Sequence, residues 1–164
     1  MNLILKNNQL SWGDQVFPCS WGHGGIKLDK KEGDRATPVG TFSFRRVFYR
    51  ADRLEKPETL LPLQVINVTD GWCDDVKDAC YNQYVTLPYK GRHEKLWRED
   101  HVYDIILVVG HNDAPVEKGK GSAIFVHLRR PKGTSTEGCV ALELQDLLKV
   151  IKESTLKSSL VVKD

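Results

Sequence analysis

Asp104-Ile-Ile-Leu-Val-Val-Gly110 and Ser122-Ala-Ile-Phe-Val-His127 are the two stretches whose reading decides the fold. Both are short, rich in β-branched or aromatic residues and bounded by polar residues or glycine, the pattern of strands buried on both faces. The loop between them is marked by His111-Asn-Asp-Ala-Pro115 and Lys118-Gly-Lys-Gly121. Upstream, Thr37-Pro-Val-Gly40 reads as a rigid turn feeding a strand over Thr41 to Phe48, with Phe42 and Phe44 on one side and Ser43 and Arg45 on the other. Nearer the N-terminus, Leu3–Lys6, Gln9–Trp12 and Gln15–Cys19 read as short strands. They are joined at Asn7-Asn8 and Gly13-Asp14, residues that tolerate the positive φ of tight hairpins. Downstream, Leu144, Leu147, Leu148 and Ile151 recur at helical spacing, with Gln145, Asp146, Lys149 and Lys152 opposite. Leu160 to Val162 is expected to close the sheet.

Residues 51–104 show no sustained period. The expectation there is a long irregular insertion with two short strands, Gln64–Val68 and Tyr84–Leu87, serving as a cap over a cleft. The class is mainly β with one α-helix in the C-terminal region, and a single domain is expected over residues 1–164.

Composition narrows the function. Lys+Arg 24 against Asp+Glu 22 leaves a formal charge of +2, too balanced for a chain that coats nucleic acid. The longest apolar run, Ile105 to Val109, is five residues, and a membrane span needs about twenty. Met1 to Gln9 lacks the basic start and apolar stretch of a secretory signal, so a cytoplasmic location is expected, or a periplasmic one if an export segment precedes this N-terminus. Cys19, Cys73, Cys80 and Cys139 are too few and too scattered for a disulfide scaffold and read as thiols.

The chemistry concentrates in Thr134-Ser-Thr-Glu-Gly-Cys-Val-Ala-Leu142, with His127 at the end of a strand upstream. A cysteine nucleophile needs a base, backbone N–H groups to receive an oxyanion, and a chain that presents the sulfur. His127 is the candidate base, and Gly138 lets a carbonyl approach the amides of Gly138 and Cys139. Arg129 and Arg130 are candidates for holding a substrate carboxylate, and Glu137, His111 and Asn112 for lining the cleft. Against this stands the plainer reading of Cys139 as a small buried core residue. A metallopeptidase built from His111, His127 and Cys139 is the rival chemistry; the thiol reading calls for no metal and no cofactor.

Thr37-Pro-Val-Gly-Thr-Phe42, the strand ending in His127, and Glu137-Gly-Cys-Val140 together resemble the L,D-transpeptidase catalytic domain (YkuD) family. That family's motif is a histidine at a strand end, a variable loop, then Ser/Thr-His-Gly-Cys, an aliphatic residue and arginine. The match makes Cys139 the nucleophile and His127 the base, and Thr136, Gly138 and Val140 also fit. Glu137 stands where the family has a second histidine and Ala141 where it has arginine. The chain is most similar to a short, signal-less branch carrying Trp72-Cys-Asp-Asp75, Gly110-His-Asn112 and Glu137-Gly-Cys139.

The resemblance implies a β-sandwich-like fold and acyl transfer on peptidoglycan tetrapeptide stems, cut between a diamino acid and D-Ala. Its expected partners are stem peptides or muropeptides, with carbapenem β-lactams as acylating inhibitors. The histidine needs an orienting oxygen, which Leu128 has no side chain to supply. Two outcomes follow: L,D-carboxypeptidase action on recycled muropeptides, or crosslinking L,D-transpeptidation. A silent module that binds wall peptides is the alternative from outside the enzymes.

Overall fold

A computed structural model describes residues 1–164. The chain opens with β1 (Leu3–Lys6), β2 (Gln9–Trp12) and β3 (Gln15–Phe17), paired antiparallel in sequence order. Their turns hold Asn7, Asn8 and Gly13 at φ of 50°, 60° and 59°, the backbone that the sequence chemistry predicts. Pro18 interrupts the third expected strand, and β4 (Cys19–Ser20) follows as a separate element. After β5 (Ile26–Lys27) and β6 (Thr37–Pro38), the long β7 (Gly40–Tyr49) crosses the molecule.

The segment expected to be irregular is more ordered than its sequence shows. It holds β8 (Leu63–Val65), β9 (Asp70–Cys73), β10 (Tyr84–Thr86) and β11 (His93–Lys95), of which β9 and β11 were not legible. Three-residue and four-residue strands with polar residues such as His93, Glu94 and Lys95 leave no period to read. β12 (Ile105–Val109) and β13 (Phe125–Leu128) follow, then β14 (Val140–Leu142), α1 (Leu144–Glu153) and β15 (Ser159–Val162). β13 begins three residues later than its apolar run suggests, because Ala123 sits at φ 52° and leaves the extended conformation.

The main sheet runs β3-β2-β1-β15-β7-β12-β13-β14-β4, with β8 alongside β7. Its two edge strands, β3 and β4, are joined through Pro18 alone, so the sheet curls until its edges nearly meet. The enclosed face holds the larger core, including Leu5, Phe44, Leu107 and Val126, sealed by Leu147, Val150 and Ile151 of α1. The outer face of β7, β12 and β13 carries a second core of Phe48, Ile106, Val108 and Phe125, covered by the small sheet β10-β9-β11. β12 therefore sends Ile105, Leu107 and Val109 one way and Ile106 and Val108 the other, all buried. That is why its sequence is apolar without alternation.

Candidate active site

β13 and β14 lie side by side in parallel, with Val126 opposite Val140 and His127 opposite Ala141. Alternation then settles which side chains meet. Val126, Leu128, Val140 and Leu142 enter the larger core, while Phe125 and Cys139 belong to the second. Cys139, one residue before β14, shares the outer face with His127, a diagonal step away. Each is only 6% exposed, and both line one cleft of about 420 Å³.

The thiol is held in place by backbone. Cys139 Sγ accepts from the Phe125 N–H at 3.3 Å and donates to the Ala123 carbonyl at 3.2 Å. The turn before it is pinned by Thr136, whose hydroxyl accepts from the Gly138 N–H at 3.1 Å and donates to the Cys139 carbonyl at 2.6 Å. The buried Thr37 hydroxyl accepts from the Gly22 N–H at 2.9 Å and donates to the Gly138 carbonyl at 2.8 Å. The Thr-Pro-Val-Gly motif thus braces the cysteine turn from a distant part of the chain. Gly138 has φ 136°, and a Cβ there would come within 2.9 Å of the Ala36 carbonyl oxygen, so only glycine fits. Its N–H is engaged by Thr136, whereas the Cys139 N–H makes no hydrogen bond within the protein.

His127 Nδ1 lies 2.9 Å from the Leu128 carbonyl oxygen. A carbonyl only accepts, so Nδ1 carries the proton and Nε2 is left as the free base nitrogen. The orienting oxygen is main chain. Burial holds the imidazole neutral, lowering its pKa to about 4 against the weaker opposing pull of the Leu128 carbonyl. Burial, reinforced by the Glu94 carboxylate, pushes the Cys139 thiol up to about 12. At rest both partners are neutral.

A family model of the L,D-transpeptidase catalytic domain, YkuD, matches residues 2–162. The chain belongs to the YkuD family. No curated protein and no solved structure matches it. The family supplies L,D-transpeptidase-type catalysis on peptidoglycan.

The rest of the cleft of this YkuD domain is built of paired charges. Arg35 clasps Glu137 through two bonds of 2.7 and 3.0 Å, Arg92 pairs with Asp74 at 3.1 Å, and Arg98 pairs with Asp100 at 2.7 Å. Glu32 is engaged by Ser122 at 2.5 Å and lies 3.8 Å from Arg92. Residues 51–104 contribute Asp74, Arg92, Glu94, Arg98 and Tyr103 to the cleft lining. Tyr103 packs its ring edge-on against His127 at 5.4 Å and donates its hydroxyl to Glu94 at 2.7 Å.

Cys139, His127, Glu137 and Arg130 line this cleft together, and Gly138 lies in the turn between Glu137 and Cys139 with its expected oxyanion N–H engaged by Thr136. Three other expected residues lie elsewhere. Arg129 turns away, donating to Ser20 at 3.3 Å and Glu143 at 3.1 Å. His111 and Asn112 close their own loop, with His111 Nε2 3.1 Å from the Lys120 carbonyl oxygen and Asn112 donating to the Glu117 and Gly121 carbonyls. His111 borders a different hollow, beside Trp72 and Phe125, so the His111–His127–Cys139 metal set does not share one cleft. Glu94 and Tyr103 are not among the residues the sequence reading singles out for the site, since both lie in the stretch 51–104 that shows no period.

Proposed function

We propose that this YkuD domain is a cysteine acyl-transfer enzyme that removes the terminal D-Ala from tetrapeptide stems, acting chiefly as an L,D-carboxypeptidase on soluble muropeptides. The observation that carries the reading is Cys139 and His127 on one face of adjacent strands at a shared cleft, with the imidazole oriented by the Leu128 carbonyl.

His127 Nε2 takes the thiol proton as Cys139 Sγ attacks the carbonyl carbon of the diamino acid. The Cys139 N–H, free of internal partners, receives the developing oxyanion. The tetrahedral adduct collapses, the C–N bond breaks, and His127 returns the proton to the departing amine of D-Ala. Water, deprotonated by the same nitrogen, then hydrolyses the thioester to give a tripeptide. Arg130, which pairs with no carboxylate of the protein, holds the terminal carboxylate of the donor.

Water is favoured as acceptor by the surroundings of the thiol. Glu137 is committed to Arg35, and Ala141, opposite His127, offers only a methyl group. Neither supplies a second base or an anchor for an incoming amine. Incubation with a soluble tetrapeptide, with and without an amine acceptor, tests this. Tripeptide and free D-Ala are expected, and Cys139→Ala should lower turnover at least about a thousandfold while remaining folded. Predominant crosslinked dimer would return the reading to transpeptidation, the activity the family name carries. Peptide binding without D-Ala release would make the protein a silent binding module.

A further inference from the structure

Every carboxylate that lines the cleft has a cationic partner except one. Glu137, Asp74 and Glu32 are met by Arg35 and Arg92, whereas Glu94 receives only the neutral Tyr103 hydroxyl, on Oε1. Its other oxygen has no donor in the protein. Glu94 is half-buried on β11, facing the same space as Cys139 and His127. Arg98, whose charge acts on Glu94 without an ion pair, is bound through two bonds of 2.7 and 2.8 Å to Asp100.

A carboxylate kept partly out of water with no ion pair of its own is costly, and burial accordingly raises the Glu94 pKa against the weaker pull of Arg98; a ligand that brings a cation removes that cost. We propose that Glu94 is an ammonium subsite, selecting donors whose penultimate residue carries a free side-chain amine. The inference rests on the acyl-transfer reading of the site and adds the residue that recognises the side-chain amine of the diamino acid. With Arg130 as the unpaired cation, the cleft then matches a zwitterionic peptide end: carboxylate to Arg130, ammonium to Glu94.

The same contact links recognition to reactivity. The Glu94 charge opposes formation of the Cys139 thiolate, and a bound ammonium cancels that opposition. A correct donor therefore eases ionisation of the nucleophile that attacks it.

Binding of two peptides to the Cys139→Ala protein tests the subsite without requiring turnover. One is a tetrapeptide with lysine before D-Ala, and the other is the same peptide acetylated on the lysine amine. The free amine should bind about 10–100 times more tightly, the range of a charge-assisted hydrogen bond. Adding Glu94→Gln, which still accepts from Tyr103, should reduce that ratio to about threefold or less. Equal binding of the two peptides before the second substitution, or an undiminished ratio after it, would overturn the subsite. In the protein with Cys139 intact and no peptide present, Glu94→Gln should raise the rate of iodoacetamide alkylation of Cys139 at pH 8 severalfold. An unchanged rate would overturn the link to reactivity. Failure of D-Ala release with the binding ratio intact would sink the acyl-transfer reading and leave the subsite standing.

Discussion

Cys139 and His127 start from a neutral thiol and a neutral imidazole, and this has consequences that solution measurements can read. His127 in the folded protein resists protonation down to about pH 4, whereas in the unfolded chain it protonates near 6.5. Between those values the unfolded state binds the extra proton, so stability falls as pH is lowered through this window. From pH 7.5 to pH 5, urea unfolding should show a loss of about 2 kcal/mol that is absent in His127→Gln. The acid limb of kcat/KM for the free enzyme should likewise have its midpoint nearer 4 than 6.5. At the other end, the raised thiol holds its proton in the folded state after the unfolded chain has lost it, so stability also declines above about pH 9. Gly138 is the third residue fixed by local physics. Gly138→Ala places a Cβ against the Ala36 carbonyl oxygen at a φ of 136°, and should cost about 2–3 kcal/mol in denaturant titrations together with most of the turnover.

The elements divide the work between holding the sheet and holding the site. α1 seals the larger core and touches nothing in the cleft. Leu147→Ala should therefore destabilise by about 2–5 kcal/mol in urea, yet leave kcat of the folded fraction unchanged. β6 is different, because Thr37 bridges Gly22 and Gly138 from within the interior. Thr37→Val keeps the shape, but strands a buried N–H and a buried carbonyl. It should cost about 2–4 kcal/mol, read from the denaturation midpoint, and should also lower kcat, since the cysteine turn loses its brace. The hairpins of β1 to β3 and the amphipathic α1 were legible because their signals are local: positive-φ residues at fixed offsets and a 3.6-residue period. β9, β11 and β14 were not, since strands of three or four residues hold their place by pairing with distant chain rather than by pattern.

At the scale of the molecule, the curled sheet sets its outer face against a separate small sheet, and the cleft lies where Tyr103 and Glu94 meet β13 and the Cys139 turn. A carbapenem carries the carboxylate and strained carbonyl that this cleft is proposed to take, so intact mass spectrometry should show one adduct, lost in Cys139→Ser. The sequence by itself determined the mainly β class, the hairpins, the helix and the Glu-Gly-Cys turn with its histidine upstream. Each of these rests on neighbours a few residues apart or on a motif that survives without its surroundings. Only the tertiary structure decided that the Leu128 carbonyl orients His127, that Arg129, His111 and Asn112 are spent elsewhere, and that Glu94 stands unpaired before the thiol. Burial, hydrogen-bond partners and ion pairing are set by chain arriving from far away in sequence, and no period or spacing encodes which charge is left without a counter-ion.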